Sequence, residues 1–313
     1  MERRMRKGRW LSVAGALALL SLGLGCSNRL LLAPSHDPLT ANASGCSDGS
    51  VLAFTATRPP IAGRRVQVFC SREGPREREP ALTVLAFGGN GGRAELTVGD
   101  LRRFFEWSVL PCEGSADDPE AACGLEILSV QYPGFGADLE PATLRGLGAG
   151  ALDAWDWARE RGEPGRPIVV YGLSMGSTAA LTIARAQAEA GEPGPAGLIL
   201  DRPPHIPGII LGRHGWWNLW LVSLPVAASL PSTVHSRANA RAIEATPALF
   251  LLADDDELAN PRNAGKVVDA YGGPKHAAHF PGRHGARLGG SYPTVAEGLR
   301  WLWAQLGLRA QND

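Results

Sequence analysis

The 313-residue sequence carries no formal net charge, only three lysines, and no two cysteines at C-x-x-C spacing. Each absence removes a class of function. The first 25 residues hold five basic groups and one acidic group, leaving 26 basic against 30 acidic in the remainder, so the body of the chain lacks the positive field that nucleic-acid binding requires. Without C-x-x-C or a His/Cys cluster, no zinc site is expected. The strict dinucleotide fingerprint G-x-G-x-x-G is missing, and the dense glycine run Gly88-Gly89-Asn90-Gly91-Gly92 does not end in the Lys-Ser/Thr of a phosphate loop. No cofactor is therefore expected. No internal repeat is visible, which sets aside solenoids and propellers. The scarcity of lysine beside 28 arginines, with abundant Gly, Ala and Pro, reads as GC-rich coding rather than function.

What is present begins with an N-terminal targeting segment, residues 1–25, to be excluded from the fold. Arg3, Arg4, Arg6, Lys7 and Arg9 form a positive start, and Trp10 to Leu24 is an apolar run too short for a comfortable transmembrane helix. It ends at Leu22-Gly23-Leu24-Gly25-Cys26-Ser27, which resembles a bacterial lipoprotein processing site, with Gly23 and Leu24 in reversed order. That resemblance implies acylation of Cys26 and attachment to a membrane of the cell envelope, the outer one if the host is Gram-negative. A cleaved secretory signal and an uncleaved anchor are the alternatives.

Export would place the four other cysteines in an oxidising compartment. Of their pairings we favour Cys46 with Cys70 and Cys112 with Cys123, the second closing a loop rich in Asp, Gly, Ser and Pro; free thiols are the alternative. Residues 26–50 lack hydrophobic periodicity and read as a tether.

With 44% hydrophobic residues, the remainder is long enough for one large domain, placed at residues 51–308. Val51 to Thr57 and Arg65 to Cys70 predict an antiparallel opening pair. Strands are then predicted at Ala81–Phe87, Glu126–Gln131, Pro167–Tyr171, Gly197–Asp201, Pro247–Ala253 and His276–Phe280. Between them lie helical patterns at Val98–Trp107, Pro141–Glu160, Met175–Ala190, Pro261–Tyr271 and Tyr292–Leu306. This alternation implies an α/β fold with a mostly parallel sheet covered on both faces. Residues 202–246 interrupt it as a short cap. There Trp216, Trp217 and Trp220 predict an acyl-pocket wall, an interfacial contact with lipid, or simply a helix buried on the sheet.

The densest chemical signal is Gly172-Leu173-Ser174-Met175-Gly176, between the apolar run Ile168–Tyr171 and a helical pattern. A serine hydroxyl is a poor nucleophile unless it is presented beside a base and in front of backbone N–H groups, and a sharp strand-to-helix turn does both. Such a turn excludes bulk at its flanks, which Gly172 and Gly176 satisfy. An oxyanion hole would use the N–H of Met175 and, from the glycine run after the third strand, that of Asn90. On such sites the acid and then the histidine follow the serine in sequence. Asp254-Asp255-Asp256-Glu257 follows a predicted strand, and we favour Asp256, with Asp254, Asp255 and the earlier Asp201 as alternatives. Of the histidines beyond it, His276 and His279 fall within a predicted strand, whereas His284 lies in a loop before the last helix, where a base is needed.

On these residues the chain resembles the α/β-hydrolase superfamily, and within it the small hydrolases related to serine aminopeptidases and membrane-linked protein depalmitoylases. The likeness runs from Leu31 to Leu306. It is carried by Phe87-Gly88-Gly89-Asn90-Gly91 for F-x-H-G-N-x, Gln131-Tyr132-Pro133-Gly134-Phe135-Gly136 for Y-x-G-Y-G, the Ser174 elbow, Asp256 and His284. Gly88 replaces the usual histidine, and the loop before His284 is one residue shorter than P-G-x-G-H. The resemblance implies an ester, thioester or amide hydrolase acting on an acyl substrate through Ser174, His284 and Asp256. A peptidase, or a non-catalytic binding module on the same fold, is the alternative.

Overall fold

The computed structural model describes residues 28, 31–40, 46, 49–73, 79–106, 111–112, 124–214, 221, 223–286, 288 and 292–310. The targeting segment with Cys26, the Cys112–Cys123 pairing and the three cap tryptophans lie outside the described residues.

Strand β1 (Ser50–Thr55) runs antiparallel to β2 (Arg65–Glu73), which runs antiparallel to β5 (Gly124–Val130). From there the sheet is parallel through β3 (Pro80–Phe87), β6 (Ile168–Leu173), β7 (Gly197–Asp201), β8 (Ala248–Ala253) and β9 (Lys275–Phe280). The order is β1-β2-β5-β3-β6-β7-β8-β9. Two short strands, β4 (Pro111–Cys112) and β10 (Arg309–Ala310), form a separate antiparallel pair.

Central strands are mainly apolar because both faces are covered, with Thr83, Glu126, Ser129 and Asp201 as buried polar exceptions. In β3, Leu85 and Phe87 pack toward α2 (Leu144–Arg161) and α3 (Met175–Ala190). The alternating Leu82, Val84 and Ala86 pack toward α1 (Ala94–Glu106) and α8 (Pro293–Gln305). Edge strand β9 instead alternates, burying Ala278 and Phe280 while His279 faces out. Asn260 caps α7 (Pro261–Ala270), with Pro261 at its start, where a missing N–H costs nothing. Helix α1 begins before the predicted Val98 because Gln131 Oε1 takes the Ala94 N–H at 2.8 Å and so caps an earlier turn.

The insertion between β7 and β8 holds α4 (Ile206–His214), α5 (Ser223–Ala228) and α6 (Ser236–Arg241). Among the described residues no helix is long and apolar enough to cross a membrane.

Within the stretch read as a tether, residues 31–38 lie against the domain. Leu32 is buried, the Ser35 carbonyl takes the Gly136 N–H at 2.7 Å, and Arg93 reaches Asp37 and the Pro38 carbonyl. A disulfide joins Cys46 to Cys70 of β2.

Candidate active site

Strand β6 passes into α3 through Ser174, whose φ of 50° and ψ of −113° put a non-glycine residue in the left-handed half of backbone space. Such a conformation costs about 1–3 kcal/mol and persists only where its surroundings enforce it. The Ser174 N–H donates to the Asp201 carbonyl at 2.8 Å, and its own carbonyl accepts the Ser177 N–H at 2.9 Å. The flanking glycines allow the close approach. A Cβ on Gly176 would stand 2.0 Å from the Phe87 carbonyl oxygen, and one on Gly172 would stand 2.4 Å from that of Gly176.

His284, in the turn after β9, brings Nε2 to 2.8 Å from Ser174 Oγ. Its Nδ1 lies 2.7 Å from Asp256 Oδ2, in the turn after β8. The other oxygen of Asp256 accepts the Leu258 and Ala259 N–H groups at 2.8 and 2.7 Å. Burial of this carboxyl acts to raise its pKa. The hydrogen bond and charge of His284, with the two backbone N–H groups, outweigh that and hold it below its ordinary value. Asp256 therefore presents an acceptor to Nδ1, the arrangement that favours the tautomer protonated at Nδ1 with Nε2 facing Ser174.

The alternatives have other partners. Asp254 pairs with His279 at 2.9 Å on an exposed edge, and Asp255 is exposed. Wholly buried Asp201 accepts Tyr171 and Arg202. His276 lies tilted against Trp301, with ring centroids 5.6 Å apart.

The Gly88–Gly92 run lies next to the elbow: a Cβ on Gly89 would sit 3.6 Å from the Leu173 side chain. The loop is braced from outside. Tyr132, kept neutral by burial that drives its pKa up, donates to the Gly88 carbonyl at 2.9 Å. Asn90 Oδ1 accepts the Ala33 N–H at 2.8 Å. The N–H groups of Asn90 and Met175 make no hydrogen bond to another described residue, so both remain available as donors.

One contributor was missed by the sequence reasoning. Arg202, 3% exposed and itself at a φ of 51°, forks onto Asp201 and reaches the backbone of the His284 turn. The signal was an Asp-Arg pair directly after the wholly apolar Gly197–Leu200, where a charged side chain has no bland reason to stay buried. Beside it is a cavity of about 80 Å³, bounded by Leu101, Phe104, Leu173 and His284 among others.

No family model and no curated protein matches the sequence. Solved structures do resemble it. An α/β-hydrolase from Vibrio vulnificus aligns with a TM-score of 0.54 at 19% identity, covering 82% of this chain and 79% of that one. An esterase from Pyrobaculum calidifontis gives 0.52 at 16% identity, over 96% and 90%. An acetyl xylan esterase from Paenibacillus sp. R4 gives 0.55 at 16% identity, over 94% and 93%. With the eight-stranded sheet and its flanking helices, these likenesses define the architecture as the α/β-hydrolase fold.

Proposed function

We propose that this protein is a serine hydrolase that cleaves carboxylic esters or thioesters through an acyl-enzyme. The observation that carries the reading is the chain of hydrogen bonds from Ser174 through His284 to Asp256, at 2.8 and 2.7 Å, with the serine held in a strained elbow. Ser174 Oγ attacks the acyl carbon while His284 Nε2 takes its proton, and Asp256 stabilises the imidazolium that forms. The oxyanion sits on the N–H groups of Asn90 and Met175, each donor being worth about 10²–10³ in rate. The alcohol or thiol leaves with the proton from Nε2. Water then attacks the acyl-serine by the same steps in reverse, using only groups of this chain. Neighbours named as esterases support an ester over an amide.

We place the enzyme at the cell envelope, held by acylated Cys26; the support is the basic start, the short apolar run and the cysteine that ends it.

The test is hydrolysis of p-nitrophenyl esters from acetyl to palmitoyl, with Ser174→Ala alongside. The expected result is turnover by the parent, a loss of about 10⁶ in kcat in the variant, and fluorophosphonate labelling confined to intact Ser174. Turnover surviving in Ser174→Ala would overturn the mechanism. Silence of both across the series would favour a peptidase or a binding module.

A further inference from the structure

Ser174 and His284 are 110 positions apart in sequence, and the dipeptide Asp201–Arg202 at the end of β7 touches the segments that carry both. The Asp201 carbonyl accepts the Ser174 N–H at 2.8 Å and the Ser177 hydroxyl at 3.4 Å. From the next residue, Arg202 Nη1 donates to the carbonyl of His284 at 2.7 Å, to that of Arg283 at 3.3 Å and to that of Ala286.

The guanidinium has little freedom to do otherwise. Its Nε and Nη2 seat on the two oxygens of Asp201 at 2.8 and 2.9 Å, and Tyr171 donates to the same carboxylate at 2.8 Å. Because the guanidinium is planar with donors at fixed angles, seating one edge on a carboxylate fixes the direction of the remaining arm. That arm points into the turn of residues 283–286. The guanidinium carbon also lies 5.7 Å from the ring centroid of Phe280, the last residue of β9, from which the turn departs. Other backbone ties of the turn join Asp255 to Gly282 and Ala286 to Arg283, and neither takes the His284 carbonyl.

Taking an ion pair wholly out of water is costly, and in other proteins apolar residues of similar volume have often replaced such pairs without loss of stability. The left-handed backbone at Arg202 adds strain. Packing alone therefore gives no reason for an ion pair at this place.

We propose that Asp201–Arg202 is a positioning pair that sets the gap between nucleophile and base, holding the Ser174 N–H by its main chain and the His284 turn by its guanidinium. The inference rests on the triad reading above. Arg202 touches no reacting atom and acts through the backbone of His284. Loosening the turn lets the imidazole move, and a displacement of about 1 Å costs about 10²-fold in kcat. The loss is therefore expected in kcat rather than in KM.

The experiment uses the full chain with Arg202→Lys, which keeps the charge but loses the fork, and with the double variant Asp201→Asn/Arg202→Met, which leaves no unpaired ion inside. Thermal melts first establish the folded fraction of each. Then kcat and KM on p-nitrophenyl acetate and the rate of fluorophosphonate labelling are measured well below the melting temperature. The expected result is a fall in kcat of about 10²-fold per folded molecule, labelling slowed in parallel, and KM within about threefold of the parent. A folded variant that keeps kcat within about threefold, or whose loss only tracks its unfolded fraction, overturns the proposal. Ser174→Ala is assayed in parallel, so that turnover surviving there would mark failure of the triad reading rather than of the positioning pair.

Discussion

The Nδ1 of His284 stands 2.7 Å from Oδ2 of Asp256, a carboxylate whose second oxygen is already taken by two backbone N–H groups. Held from both sides, it cannot swing away, so the imidazole is oriented before any substrate arrives. Asp256→Asn keeps the shape but presents an amide of the wrong polarity to Nδ1. Steady-state kinetics should show kcat lower by about 10⁴-fold, the tautomer effect seen when a triad aspartate becomes asparagine. A loss under tenfold would remove Asp256 from the proposed mechanism.

A second buried carboxylate contributes to stability in acid. Asp153 of α2 accepts the backbone N–H groups of Thr57 and Arg58, the Thr57 hydroxyl and the Arg58 guanidinium, tying the β1–β2 hairpin to the helix. Burial acts to raise its pKa, but these bonds outweigh it and the carboxyl titrates below its ordinary value. A folded pKa below the unfolded one gives stability that is present above the unfolded value and is lost as pH falls through the folded one. Asp153→Asn should therefore cost about 1–3 kcal/mol at neutral pH. Urea unfolding at several pH values should show that gap closing below about pH 4. A gap unchanged at low pH would contradict the assignment.

Two glycines, Gly176 in the first turn of α3 and Gly191 just past its end, predict different outcomes for activity. A methyl group at Gly176 would meet the Phe87 carbonyl at 2.0 Å, backbone against backbone, with neither side able to yield. Gly176→Ala should destabilise by about 3 kcal/mol and abolish ester turnover. At the far end of the helix, Gly191 has a φ of 66° and open space around it. Gly191→Ala should cost about 1 kcal/mol of left-handed strain, read in a thermal melt, with kcat unchanged.

The segment before β1 links the disulfide to the glycine loop. Replacing Cys46 and Cys70 by serine should lower stability by about 2–4 kcal/mol. Ala33→Pro deletes the N–H that Asn90 accepts and should lower kcat about tenfold, a fraction of what a whole oxyanion donor is worth. An unchanged kcat would show that the Asn90 side chain needs no such brace.

Much of the fold could be read in advance because buried parallel strands and their helices leave strong local patterns. The runs at Ala81–Phe87 and Pro247–Ala253 lie within one residue of β3 and β8. Near Val98 the pattern placed a helix start too late, since the cap comes from Gln131, far along the chain just past the end of β5. The tether reading of residues 26–50 followed composition alone. What holds residues 31–38 down is a set of bonds to Asn90, Arg93 and Gly136, which no window along the chain contains.

The sequence by itself determined the elbow, because Gly172 and Gly176 are the only residue type that so tight a turn admits, and it determined the alternation that builds the sheet. It offered a run of three adjacent aspartates for the candidate acid, favouring Asp256, with Asp201 as an alternative outside the run. What brings Asp256 to a histidine is tertiary: β8 and β9 are parallel with Ala253 opposite Phe280, so the turns that follow them emerge side by side. In that setting Asp254 meets His279 and Asp256 meets His284. Beyond Ala253 the chain leaves the strand and turns, so the Asp254 carboxylate stays on the exposed edge while that of Asp256 is buried against the Leu258 and Ala259 N–H groups. The place of Arg202 was decided the same way, by a guanidinium seated on Asp201 and aimed across the sheet at a turn far along the chain.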